Sequence, residues 1–312
     1  MANKNFISVV IPVYKCSGNL IELSNRLLKI VSELTKTFEI IYVVDGSPDE
    51  SWSVITSLAS SNEQIKALKL SRNFGQHYAV TAGLDYTKGD WIVIMDCDLQ
   101  DQPEEIPKLY NKILEGYDVV LARRGKREDT FFKKLSNYLF YKVFNFLSGM
   151  KYDPQVGAFR IISKKVVNNF RLMKEQTRFF NGLMEWMGFS TAYVDVTHGE
   201  RFSGETSYTF FKLLRFSIDI IIAHSDKPLR ISIFIGFFMS FLSMIYGLYI
   251  LSVSLTDGIA VSGWSSLMIS MYFLAGVIMM NLGILGVYLG KVFSQTKGRP
   301  LYFVDKVIGF SE

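Results

Sequence analysis

Cysteine is scarce in this chain of 312 residues: Cys16 and Cys97 are the whole complement. Two such residues build no disulfide framework, and from sequence they read as packed or surface thiols suited to a reducing compartment. Internal repeats and low-complexity tracts are absent. A secretion signal is not recognisable either, because the apolar run from Ile7 to Tyr14 is eight residues long, carries Pro12 and has no small-residue cleavage site behind it. It reads as a first β-strand. The most telling shortage is of charge: residues 231–290 contain one charged side chain, Asp257, whereas the other 252 positions hold 62. That density of about a quarter is normal for a soluble domain. A purely soluble enzyme, a disordered chain and a polytopic transporter are all excluded by this distribution.

The uncharged stretch resolves into Ile231–Leu255 and Ser265–Gly290, each about 25 residues and long enough for a transmembrane helix. The turn between them has Asp257 and no Lys or Arg. Lys227 and Arg230 precede the first span, and Lys291, Lys297 and Arg299 follow the second. The positive-inside bias therefore predicts a multi-pass protein of the cytoplasmic (inner) membrane, with its large domain and both termini in the cytoplasm. Ser207–Asp226 sets Lys212, Arg215 and Asp219 on one helical face and Phe210, Leu214 and Ile221 on the other, the pattern of a helix lying in the interface plane. The expected divisions are a catalytic domain at 1–206, a juxtamembrane helix at 207–229, two spans within 230–290 and a cytoplasmic tail at 291–312.

Net charge is +5, and six Lys/Arg fall between Arg123 and Lys134, running into a block with Phe131, Phe132, Tyr138, Phe140, Tyr141, Phe144 and Phe146. This suits an anionic membrane surface; a solvated loop followed by a core helix is the alternative. No recognition motif accompanies the charge, so nucleic acid is not an expected partner.

In the large domain, β-rich runs (Ser8–Val13, Glu39–Val44, Ile65–Leu70, Trp91–Met95, Tyr117–Leu121) alternate with helical patterns (Leu20–Leu34, Glu50–Ser60, Gln76–Tyr86, Glu104–Leu114). This order predicts an α/β domain with a mostly parallel, Rossmann-like sheet, whose ligands sit beyond the carboxyl ends of the strands. Asp96-Cys97-Asp98 stands at one such end. Two carboxylates two residues apart where a strand frays can turn toward one Mg²⁺ or Mn²⁺ shared with a diphosphate. Asp101 reads as a helix cap before Pro103. Asp45-Gly46-Ser47-Pro48-Asp49 supplies a second carboxylate after a strand, suited to a nucleobase or ribose, or else an Asx-turn capping the next helix. His198 and His224 lack the spacing of metal ligands. His77, at the start of a predicted helix, reads with them as structural.

Together Ile11-Pro12-Val13-Tyr14, Val44–Asp49, Ser71-Arg72-Asn73-Phe74-Gly75, Asp96–Asp101 and Gly157-Ala158-Phe159-Arg160 resemble the motifs of family 2 glycosyltransferases of GT-A fold. With two C-terminal spans, the whole chain resembles polyisoprenyl-phosphate glycosyltransferases, the group of bacterial undecaprenyl-phosphate glucosyltransferases of O-antigen modification and dolichyl-phosphate mannose synthases. The resemblance implies inverting transfer of a hexose, UDP-glucose being the first choice of donor, to undecaprenyl or another polyprenyl phosphate, for lipopolysaccharide modification. It places Asp45 on the nucleotide, Asp96 on ribose or diphosphate, Asp98 with Asp96 on Mg²⁺ or Mn²⁺, and Arg201 on phosphate near the membrane. Asp96, Asp98 and Arg201 form the implied catalytic set. Pro12, Tyr14, Asp45, Arg72, Asn73, Gly75, Arg160 and Arg201 join Asp96 as the implied substrate contacts. A second copy of the chain and a lipid-linked sugar flippase are further partners this family admits.

Four positions depart from the pattern of many relatives: Val44 and Ala158 stand where those have Asp, Cys16 near a Glu, and Ser207 at a Lys. The missing carboxylate at Ala158 removes a general base. A lipid monophosphate, with its second pKa near 6, is already largely dianionic at neutral pH and needs its charge screened, not its proton removed. Asp153 is a substitute base or, with Pro154, a turn. Three rivals stand beside this reading: a nucleotide-sugar-binding protein without catalysis, a transferase using another acceptor, and a processive polysaccharide synthase. Against the last, Gln176-Thr177-Arg178-Phe179-Phe180 lacks the expected tryptophan spacing and only two spans are present.

Overall fold

The computed structural model describes residues 5–124, 131–150, 153–197, 199, 210–257 and 263–310. They fall into two compact units, one formed by Met1–Lys134, Tyr152–Ser207 and Arg299–Glu312, the other by Leu135–Lys151 and Tyr208–Gly298.

The first unit contains β1 (Ile7–Val13), α1 (Leu20–Leu34), β2 (Phe38–Val44), α2 (Ser51–Ser61), β3 (Ile65–Leu70), α3 (Gln76–Tyr86), β4 (Trp91–Ile94), α4 (Ile106–Ile113) and β5 (Val119–Arg124). After α5 (Phe131–Ser148), most of which belongs to the second unit, come β6 (Val156–Ser163), α6 (Lys164–Leu172), α7 (Phe180–Met187) and β7 (Thr191–Val196). The sheet order is β7-β5-β6-β4-β1-β2-β3-β8, where β8 is Val304–Ile308. Pairing is parallel from β4 through β1 and β2 to β3 and between β5 and β7, whereas β6 runs antiparallel to both β4 and β5. The expected α/β sheet is therefore present, and its central strands follow the sequence reading closely.

Both faces of the sheet are covered, which is why its strands are continuous apolar runs rather than alternating ones. All seven residues of β1 are buried. Val9 and Ile11 join one core with Leu23 and Leu27 of α1, Tyr42 and Leu109; Val10 points the other way, toward Val80, Leu84, Ile162 and Phe170. Helix α3 packs so closely on that second face that a side chain at Gly83 would collide with Val10.

In the second unit, α8 spans Phe210–His224, α9 Lys227–Asp257 and α10 Trp264–Thr296. The latter two are long and apolar enough to cross a membrane. Ser232 of α9 hydrogen-bonds the side-chain oxygen of Asn281 on α10, and Asn281 Nδ2 donates to Val277 O at 2.8 Å. The first of these contacts joins the two helices and the second lies within α10. Lys291 pairs with Asp219 at 2.9 Å, linking α10 to α8. Tyr138, Leu139 and Phe146 of α5 are exposed, whereas Phe144 of the same block is buried. Residues 291–312, expected as a tail, instead complete α10 and supply β8 at the edge of the sheet.

Candidate active site

The carboxyl ends of β1, β2 and β4 lie side by side because these strands are parallel neighbours in register: Val13 faces Val44, and Val10 faces Ile94. The loops that follow bring the acidic residues together. Asp45 is buried, and its carboxylate accepts the backbone N–H groups of Phe74 and Gly75, both at 2.7 Å. Burial pushes this carboxyl upward, while those two hydrogen bonds and the charge of Arg72 pull it back. Gly46 follows with φ +58°, and a Cβ there would strike the backbone of Arg72 and Asn73, so only glycine lets the two loops meet. The remainder of this motif is self-bonded: Ser47 Oγ donates to Asp49 Oδ1 at 2.5 Å, and Asp49 also accepts the N–H groups of Ser17 at 3.0 Å and Ser51 at 3.2 Å. Burial opposes the Asp49 anion, but these bonds outweigh it and hold the carboxyl well below its ordinary value. The Asx-turn expected of this motif is thus made by Asp49.

On the facing loop, the Arg72 guanidinium lies 4.0 Å from the centre of the Phe74 ring and donates to Asn73 O at 2.9 Å. Arg72 and Asn73 are exposed, and Gly75 adopts φ +108° to start α3. Tyr14 is exposed beyond β1, whereas Pro12 is buried within that strand opposite Val43.

Asp96 and Asp98 flank Cys97 directly after β4. Gln76 Nε2 donates to Asp96 Oδ1 at 2.6 Å, and Gln100 N donates to Asp98 Oδ1 at 3.1 Å. Burial and the nearby Asp101 and Asp98 charges push Asp96 up to about 7, against the pull of Arg124 and Arg160. Leu99 sits at φ +62°, an unusual angle for a leucine and one that turns the loop back on itself. Asp101 is buried within 3.6 Å of Arg124 rather than serving as a plain cap: the helical turn at Pro103–Glu105 is preceded by Gln102, without a side-chain cap bond. Arg160 is buried in β6, donating from Nε to Ala158 O at 2.7 Å and from a terminal nitrogen to Gly157 O at 2.5 Å. The backbone at the position lacking the family carboxylate is thereby bound to the arginine two residues on. Asp153 pairs with Arg123 at 3.1 Å and accepts Gln155 N at 2.9 Å, closing a turn as the Asp-Pro reading has it. Arg201 and Ser207 lie outside the described residues, although Gly199, two residues before Arg201, donates its N–H to Gln100 O at 2.9 Å beside the acidic loop.

The sequence reading missed Gln76 and Arg124. Gln76 follows the glycine of a recognised motif, so its position at a helix start offered a signal; Arg124 was assigned to a membrane-facing basic loop, and only the sheet turns it toward Asp101. Cys16 and Cys97 correct a further expectation. They are joined as a disulfide, with Cα atoms 6.4 Å apart, because each follows one of two adjacent parallel strands.

Among the described residues no three His, Cys, Asp or Glu side chains converge as a metal site. Asp96 and Asp98, both partly exposed, nevertheless fit a hard cation as a partial set, since the charge of Asp98 pushes Asp96 upward and an ion would relieve that repulsion, with diphosphate oxygens completing the shell.

His77 is held against the Phe179 ring at 6.1 Å, and burial together with the charges of Arg160 and Arg178 lowers it to about 4. It stays neutral at physiological pH. Its folded value lies below the unfolded one, so stability is complete above pH 6.5 and is lost as pH falls toward 4, by about 3 kcal/mol for a shift of this size. Acid titration of the unfolding midpoint should show this loss, and His77→Gln should flatten it.

Acidic side chains are thus gathered beyond the central strands of a Rossmann-like, mostly parallel sheet, the place where open α/β sheets bind their ligands. The profile described as "Glycosyl transferase family 2" matches residues 8–171, and the chain belongs to that family. It is 40% identical over 304 residues to "Uncharacterized glycosyltransferase sll0501" of Synechocystis sp., covering 97% of this chain and 96% of that one. It is 37% identical to "Prophage bactoprenol glucosyl transferase homolog" of Escherichia coli, over 96% of this chain and 99% of the relative. Similarity to "Bactoprenol glucosyl transferase" of Shigella phage SfX is 36%, over 96% and 98%. Among solved structures, mannosyl-3-phosphoglycerate synthase from Rubrobacter xylanophilus matches the fold with a TM-score of 0.50 at 18% identity, covering 72% of this chain and 74% of that one.

Proposed function

We propose that the chain transfers a hexose, with UDP-glucose the first choice of donor, to a polyprenyl phosphate at the cytoplasmic membrane face, inverting the anomeric carbon. The observation that carries this reading is similarity to bactoprenol glucosyl transferases along nearly the whole chain, spans included. The Lys and Arg residues on one side of the spans favour a cytoplasmic catalytic domain. The paired cysteines no longer add to that argument.

The nucleotide lies along the ends of β1 and β2, with Asp45 and the Arg72–Gly75 loop recognising base and ribose. Asp96 and Asp98 are the residues that would hold Mg²⁺ or Mn²⁺, which when bound neutralises charge on a diphosphate. Gln76 fixes the Asp96 carboxylate, and Arg124 and Arg160 lower the cost of its negative charge. The acceptor phosphate, already a dianion, forms a bond from its oxygen to the anomeric carbon as the bond from that carbon to the nucleoside diphosphate breaks on the opposite face, the diphosphate leaving with the electron pair; Ala158 therefore needs no replacement base, and Arg201 screens the approaching charge. The catalytic domain holds a soluble donor against a lipid headgroup confined to the interface, and positioning of this kind supplies a large part of a barrier.

Membranes containing the protein, supplied with labelled nucleotide sugars, undecaprenyl phosphate and Mg²⁺ or Mn²⁺, should yield lipid-extractable label, most from UDP-glucose. Absence of transfer from every donor would sink the proposal.

A further inference from the structure

We propose that the C-terminal segment is a positioning element of the donor site, acting through Phe303 on the Ser71–Gly75 loop. This rests on the donor placement given above.

Strand β8 pairs antiparallel with β3, matching Ile308 to Ala67, Val307 to Leu68 and Lys306 to Lys69, with an irregularity before Val304 meets Leu70. Without it, β3 would be an open edge ending in the donor loop. The contacts continue past the strand. Ser71 N donates to Phe303 O at 3.0 Å, and the Phe303 ring lies 6.5 Å from that of Phe74. Phe74 in turn carries the Arg72 guanidinium and gives its N–H to Asp45.

The loop is therefore held from two sides: Asp45 takes its N–H groups from within, and Phe303 takes its first N–H and packs on its aromatic ring. The residues on either side of β8 are themselves anchored. Tyr302 donates its hydroxyl to Asp85 at 2.7 Å, Gln176 Nε2 donates to Arg299 O at 2.6 Å, and Phe310 packs on Tyr86 at 5.1 Å. These anchors leave Phe303 a fixed point rather than a chance contact, and more than half of its surface remains exposed, so fold stability does not explain its place. Fixing supporting groups before the ligand arrives is what lowers the cost of ordering a site. Arg72, Asn73 and Gly75, the donor contacts expected from sequence, all sit on this loop.

The test uses the full-length protein in membranes or detergent. Phe303→Ala should raise the KM for the nucleotide sugar that supports transfer by about tenfold, with kcat and the KM for undecaprenyl phosphate changed less than about twofold, a loss of positioning rather than of chemistry. Phe303→Tyr should restore the KM. Independently of activity, hydrogen exchange in Phe303→Ala should speed up in peptides covering Ser71–Gly75 and stay unchanged in peptides covering Asp96–Gln100. Unchanged donor KM together with unchanged exchange overturns the inference, as does faster exchange throughout the domain, the mark of a merely structural role. Asp45→Asn separates the two readings. If it leaves donor KM untouched, the donor placement fails; if it raises KM while Phe303→Ala does not, only the present inference fails.

Discussion

Asp98→Ala is expected to lower glycosyl transfer by about 10²–10³-fold, the scale seen when one stabilising group is removed from a developing charge. The Asp98 carboxylate follows β4 within a loop whose shape is set by Leu99 at positive φ and by the bond from Gln100 N to Asp98. Alanine removes the carboxylate of a partly exposed loop residue together with its bond from Gln100 N, a loss on the scale of about 1 kcal/mol, so the unfolding midpoint should move little. Asp98→Asn keeps an acceptor for Gln100 but loses the charge and should be nearly as inactive. Chelation with EDTA should reproduce the loss in the unmodified protein, and added Mg²⁺ or Mn²⁺ should reverse it. Transfer undiminished in Asp98→Ala would remove the metal-assisted reading altogether.

Reduction of the Cys16–Cys97 bond is the second large effect. The bond closes a loop with a sequence separation of 81. Chain-entropy arguments give a crosslink over such a loop about 4–5 kcal/mol of stability. For a domain of this size that corresponds to about 10–15 °C in the midpoint. Purified, air-oxidised protein should therefore unfold at markedly lower temperature after treatment with dithiothreitol, and the Cys16→Ser/Cys97→Ser double variant should match the reduced protein and ignore the reductant. In a thiol-buffered compartment the pair would stand reduced, so maleimide labelling of freshly lysed cells should detect two thiols. If oxidised and reduced protein unfold alike, the bond contributes nothing to the fold.

Both tests concern the same small region, where residues from two adjacent strand ends meet. What could be read of that region from sequence was the presence of Asp45, Asp96 and Asp98 after apolar runs, since strand periodicity and turn residues are local signals. Gln76 and Arg124 could not be assigned to it in this way. Gln76 has only its place after a motif glycine to mark it, and Arg124 nothing in its own segment; their partners Asp96 and Asp101 are fixed only once α3 packs on the sheet and β6 joins β5 to β4.

The same division holds for the whole chain. Sequence by itself determined the alternation of strands and helices as far as β5, the two long apolar helices and the motifs of a glycosyltransferase, because hydrophobic period, charge density and turn chemistry act over a few residues. Tertiary structure decided the antiparallel insertion of β6 between β4 and β5, the pairing of Cys16 with Cys97, and the return of Val304–Ile308 to β3. The last of these carries a hydrogen bond between residues 217 apart, Tyr302 and Asp85. No local pattern specifies such a partner. It is chosen by which sheet edge remains open and which apolar faces remain uncovered once the nearer elements have packed.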